Sequence, residues 1–137
     1  MKKLNVIIVY DKQEKNVLMC KREKEPYKGM FNLVGGKVEE SEDELCAAYR
    51  ELEEETAITK DDIRLVNVMN FEYKILDMEL ELYAGKLNKD VKVVEEVNKL
   101  YWLNKDENFF DLEKFAGEGN IGHMMKQVEL HKKEIFK

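Results

Sequence analysis

The chain has 137 residues, with 29 acidic against 23 basic side chains and a formal net charge of -6. That length is room for one domain, residues 1–137, large enough to bury its own core without disulfides. The acidic balance argues against a nucleic-acid polymer as ligand, because phosphate backbones are bound by basic surfaces. No apolar run approaches the roughly 20 residues that span a bilayer, so no membrane partner is expected.

In chain order, Leu4 to Tyr10 reads as a strand, interrupted only by Asn5. Its basic start and apolar run are too short for a secretory signal and lack a small-residue cleavage site. A polar turn at Asp11 to Lys15 leads into a second strand, Val17 to Lys21. Glu23 to Met30, with Pro26 and Gly29, reads as a loop at the edge of a site. Phe31 to Val38 predicts a strand broken by Gly35-Gly36. A helix follows, and Ser41 and Glu44 have the S-x-x-E spacing of a capping box that would start it at Ser41. Leu65 to Tyr73 and Met78 to Leu87 alternate as a strand pair, and Leu100 to Leu103 is a short strand. Glu107 to Phe115 and Ile121 to Phe136 predict two further helices. Cys20 and Cys46 show no C-x-x-C pattern and read as reduced core thiols, as in a cytoplasmic protein.

The helix after the double glycine carries the chemistry. At about 100° per residue, Glu51, Glu54 and Glu55 fall within an arc of roughly 100°, joined by Glu44 and Ala47. Leu45, Ala48, Tyr49 and Leu52 form the adjacent apolar arc. Like charges three and four residues apart destabilise a helix by a few tenths of a kcal/mol per pair unless a cation neutralises them. A glutamate-rich helix can simply be a solvated face. The alternative is a hard divalent cation, which takes oxygen ligands and commonly bridges carboxylates to substrate phosphates.

From Gly36 to Ile58 the sequence resembles the Nudix box, G-x5-E-x7-R-E-U-x-E-E-x-G-U with U apolar. Gly36, Glu42, Arg50, Glu51, Leu52, Glu54, Glu55 and Ile58 stand at the required spacings, eight of the nine specified positions. Ala57 replaces the late glycine. It would sit near the helix end, where a left-handed backbone is common, unless the helix ends instead around Thr59 to Asp61. Val34 and Ser41 also depart from the proline and glycine that many members carry at these points.

The resemblance implies a single-domain α/β/α sandwich with a mixed β-sheet. It also implies Mg²⁺-dependent hydrolysis of a nucleoside diphosphate linked to another group, with Mn²⁺ as an alternative metal. It makes Glu54 and Glu55 metal ligands and Glu51 a ligand or the base that activates water. The Gly35 carbonyl would join the same metal site. Arg50 would orient a carboxylate, and Glu42 would be a structural glutamate pairing with Arg50.

Outside the box, the chain resembles the MutT-like branch, which removes oxidised guanine nucleotides such as 8-oxo-dGTP. Glu96, six residues before Trp102, matches a further metal-associated glutamate, although Glu95 beside it leaves the register open. Arg22 matches an arginine that faces the substrate and is otherwise a strand-end charge. Asn120 corresponds to an asparagine that reads the base, since an amide donates and accepts at once. It is also an ordinary turn residue between glycines. His123 and His131 have no metal-ligand spacing and read as surface residues.

The leading expectation is cleavage of a (deoxy)nucleoside triphosphate to monophosphate and pyrophosphate, with a homodimer compatible with it. Two alternatives keep the fold. One is hydrolysis of a nucleotide sugar, ADP-ribose, a dinucleoside polyphosphate or a cap-like end; the other is a non-catalytic nucleotide-binding module.

Overall fold

The computed structural model describes residues 1–137. The elements run β1 (Lys2–Tyr10), β2 (Asn16–Lys21), β3 (Phe31–Asn32), β4 (Val34–Lys37), α1 (Glu44–Thr56), β5 (Val66–Tyr73), β6 (Met78–Lys86), β7 (Leu100–Asn104), α2 (Asn120–Leu130) and α3 (Lys132–Ile135). β1 is the hub. It runs parallel to β6 along its whole length, antiparallel to β4 from Leu4 to Ile7, and meets β2 at Tyr10. β5 closes one side against β6, while β2 carries β3 and β7. The sheet is therefore mixed, as expected.

Alternation along β1 separates two cores. Ile7 and Val9 pack with Leu18, Cys20, Val34 and Tyr83 under Ala48 and Leu52 of α1. Ile8 and Tyr10 pack with Met19, Leu82 and Ala84 under Ile121, Met124, Met125 and Val128 of α2. One helix on each face makes the α/β/α sandwich. Truncating a residue as fully enclosed as Leu52 to alanine would cost about 2–5 kcal/mol.

Several local expectations are corrected. The helix starts at Glu44 with Asp43 as its cap, and the Asp43 carboxylate accepts the Cys46 amide. Ser41 lies outside it with φ of 68°, which explains why a glycine suits that position. The strand breaks at Leu33 and not at the glycines. There the Asn32 side chain takes the Leu33 amide at 2.8 Å.

Glu107 to Phe115 forms turns and no helix, because Asn104, Asn108 and Asp111 side chains each accept a backbone amide two residues on. Phe109 and Phe115 from this stretch are nonetheless buried in the α2-side core. The last helix is divided at His131. Leu45, expected on the apolar arc, is exposed, and so is Cys46. Both thiols are free. No helix is long and apolar enough to cross a membrane.

Candidate active site

β4 and α1 meet face to face, and the double glycine makes the close approach possible. A Cβ on Gly36 would overlap the Glu51 carboxyl, and one on Gly35 would overlap the Asn5 carbonyl. The Gly35 φ of 150° is also one that side-chain-bearing residues rarely adopt. With no Cβ in the way, the Gly35 amide donates to Glu55 Oε2 at 2.8 Å. The Gly36 amide donates to Asn5 Oδ1 at 2.9 Å.

Arg50 organises the carboxylates. Its Nε donates to Glu42 Oε2 at 2.7 Å and its Nη2 to Glu42 Oε1 at 3.0 Å, the bidentate match of guanidinium and carboxylate. Nη2 also donates to the Lys37 carbonyl at 3.0 Å. Nη1 reaches Glu51 Oε1 at 3.0 Å and Glu54 Oε2 at 3.3 Å. Glu42 above all, and then Glu51, push the guanidinium pKa up, so the charge is permanent. Glu42 also accepts the Glu39 amide at 3.0 Å, which anchors the loop before the helix.

Glu55 has no such cation. Burial first, then the charges of Glu51 and Glu54, push it up to about 7 against the lowering effect of the Gly35 amide. The donor set is therefore three neighbouring carboxylates, of which Glu51 and Glu54 share one guanidinium and Glu55 has none, with hard oxygens left over. That chemistry fits Mg²⁺, which binds through a few carboxylates while keeping waters and phosphate oxygens as further ligands. As the side chains stand, no three acidic, histidine or cysteine residues are arranged to hold a metal ion. Arg50 draws Glu51 and Glu54 toward itself.

An open hollow of about 530 Å³ lies beside this face, lined by Arg50, Glu53, Glu54 and Glu96. Glu95 is engaged elsewhere, accepting the Leu100 amide at 2.7 Å. Of the adjacent pair it is Glu96 that stands with the box residues. Glu53 had not been singled out; its place in the R-E-L-E-E-E run was the available signal.

Neither Arg22 nor Asn120 forms a hydrogen bond or ion pair with the box carboxylates. Arg22 Nε holds the Pro26 carbonyl at 2.6 Å, shaping the loop after β2, and the side chain lines a separate hollow of about 290 Å³. In that loop the Tyr27 hydroxyl donates to both oxygens of Glu118, at 2.6 and 2.8 Å. Asn120 opens α2 on the opposite face of the sheet from α1, and its Nδ2 donates to the Tyr73 hydroxyl at 3.0 Å. The thiol of Cys20, buried in the α1-side core, is pushed up to about 11 by burial and then by Glu55, with Arg22 acting in the opposite direction. His123 and His131 are exposed, as expected.

A family model described as NUDIX domain matches residues 1–122. The chain belongs to the Nudix family. Compared by sequence with curated proteins, it has no match. Among solved structures it is similar to a C. elegans Ap4A hydrolase, with TM-score 0.76, 20% identity, and coverage of 98% of this chain and 99% of the other. It is similar to a MutT described from Aliivibrio salmonicida and Vibrio cholerae, with TM-score 0.68, 21% identity, and coverage of 95% and 98%. A MutT/nudix family protein from Enterococcus faecalis gives TM-score 0.62 at 18% identity over 75% of this Nudix chain, which spans only 43% of that longer protein. At these identities the likeness establishes the fold. The Nudix box adds the charged positions, all of which this chain retains.

Proposed function

We propose that the protein is a Mg²⁺-dependent nucleotide pyrophosphohydrolase that cleaves a (deoxy)nucleoside triphosphate to monophosphate and pyrophosphate. The observation that carries this is the carboxylate face of α1. Glu51 and Glu55 stand against glycine backbone, and Arg50 neutralises only part of the charge.

Glu54, Glu55 and the Gly35 carbonyl are the groups to hold the metal, with Glu96 as an outer ligand across the hollow. A bound Mg²⁺ supplies neutralisation of phosphoryl charge and a more acidic water. Glu51, steadied by Arg50 and by its seat on Gly36, serves as a further ligand or takes the proton of the attacking water. Water adds to the phosphorus, the bridging P–O bond breaks, and pyrophosphate leaves with the bonding electron pair.

Arg22 and Asn120 are assigned to the substrate. Two hydrogen bonds link their surroundings: Arg22 holds the Pro26 carbonyl of the loop that Tyr27 ties to Glu118, and Asn120 follows Glu118 by two residues in the sequence. The Asn120 amide, held at the start of α2 by Tyr73, is suited to reading a purine edge, which makes 8-oxo-dGTP a substrate to test.

The test is a panel of triphosphates, 8-oxo-dGTP, ADP-ribose, a nucleotide sugar and a dinucleoside polyphosphate with Mg²⁺, ranked by kcat/KM. A triphosphate at the head of the ranking is expected. Any other class at the head would replace the substrate while keeping the box chemistry. No turnover of any member would favour a binding module.

A further inference from the structure

Asn5 is an amide in a strand whose neighbours are apolar, and it is only 2% exposed. In the sheet it stands between Gly36 of β4 and Glu81 of β6. Its Oδ1 accepts the Gly36 amide at 2.9 Å, which fixes the orientation of the side chain. Glu81, 1% exposed, lies beside it on the same face of the sheet. Asn5 Nδ2 and Glu81 Oε2 are the two buried side-chain polar atoms without a partner. Tyr83 donates to the other Glu81 oxygen at 3.3 Å, and Glu44, itself held by Lys3, adjoins Glu81. Burial, then the Glu44 charge, raise the pKa of Glu81.

A strand position serving packing alone is filled better by hydrocarbon, since buried polar groups left unpaired are destabilising. What Asn5 does instead is hold the softest backbone of the site. Gly35 and Gly36 are free of side-chain restraint, yet the Gly35 amide must meet Glu55 and Gly36 must seat the Glu51 carboxyl.

We propose that Asn5 is a positioning residue for hydrolysis: with Glu81 beside it in the sheet, it fixes the Gly35-Gly36 segment against Glu51 and Glu55 and so sets the geometry of the metal-binding face. The inference rests on the carboxylate-face reading given under the proposed function. Removing a residue that orients ligands typically weakens metal binding about 10- to 100-fold.

The experiment is Mn²⁺ titration of the full chain without nucleotide, read by electron paramagnetic resonance of the free ion. It compares wild type, Asn5→Leu and the double variant Asn5→Leu/Glu81→Leu. The double variant removes the two unpartnered atoms, Asn5 Nδ2 and Glu81 Oε2, and leaves the Gly36 amide and the Tyr83 hydroxyl without their acceptors; these effects oppose, so it is expected to fold and to melt close to the wild-type temperature. Both variants are expected to bind Mn²⁺ at least about 10-fold more weakly than wild type. A folded double variant with wild-type Mn²⁺ affinity would overturn the positioning role and leave the carboxylate face standing. A double variant that fails to fold would also overturn it, making the pair structural. Wild type that binds no Mn²⁺ would overturn both this inference and the carboxylate-face reading.

Discussion

Arg50 and Glu42 form a two-bond clasp, Nε to Oε2 at 2.7 Å and Nη2 to Oε1 at 3.0 Å, that joins the loop before α1 to the middle of the helix. The clasp leaves Nη1 for Glu51 and Glu54. Lysine has one nitrogen and cannot hold Glu42 bidentately while reaching the other two carboxylates. Arg50→Lys is therefore expected to lower kcat/KM by about 10- to 100-fold with the fold retained. Steady-state kinetics beside a circular dichroism melt checks it, and unchanged kinetics in a folded variant would remove Arg50 from the site.

Ala57 ends α1 with φ of 68°, its amide closing on the Glu53 carbonyl, so the residue that breaks the box pattern adopts the conformation a glycine would take. Ala57→Gly relieves left-handed strain and adds chain entropy to the unfolded state, two opposing terms of similar size. The expected net gain is at most about 1 kcal/mol, a rise in melting temperature of no more than about 4 °C, with metal dependence unchanged. Rescue of an inactive wild type by this substitution would show that the departure at Ala57 had disabled the site.

The two thiols differ in reach. Cys20 is 5% exposed and its pKa is raised by burial, whereas Cys46 is exposed on α1. A disulfide reagent at neutral pH should titrate one thiol promptly in the native protein and both after denaturation. Prompt reaction of both would contradict the packing of β2 under α1.

How much of this was legible in the sequence depended on whether a feature is written in residue spacing or in competition between partners. The glutamate face of α1 followed from spacing, because residues three and four apart share a helical face, while the clasp of Arg50 to Glu42, which lies before the helix, followed only from the resemblance to the box. The start of the helix did not. Ser41 and Asp43 are both good caps, and only the backbone decides that Asp43 takes the Cys46 amide. Glu107 to Phe115 has an amphipathic look, but Asn108 and Asp111 capture local amides and prevent a helix. The apolar arc of α1 was drawn too wide at Leu45, since a helical wheel shows direction and not where the core ends. Asn5 stood in plain sight as a polar interruption, yet its partner Gly36 is 31 residues away and is found only through the β1–β4 register.

Asn120 is assigned to the base although its Nδ2 is already bonded to Tyr73. Asn120→Ala should lower kcat/KM for 8-oxo-dGTP by roughly 5- to 150-fold, the equivalent of about 1–3 kcal/mol, and barely affect a pyrimidine triphosphate. Tyr73→Phe, which removes the internal partner and keeps the amide, should preserve that purine selectivity. Equal losses on both nucleotides would reassign Asn120 to holding the turn.

Phosphorus NMR of a triphosphate reaction in wild type and Glu55→Gln tests metal-dependent hydrolysis on the glutamate face of α1. Monophosphate and pyrophosphate are the expected products with Mg²⁺, with no reaction in excess chelator and a rate in Glu55→Gln lower by about 10²-fold or more, the loss expected when a charge that stabilises the transition state is removed. Full turnover in chelator, or a Glu55→Gln variant as fast as wild type, would contradict it.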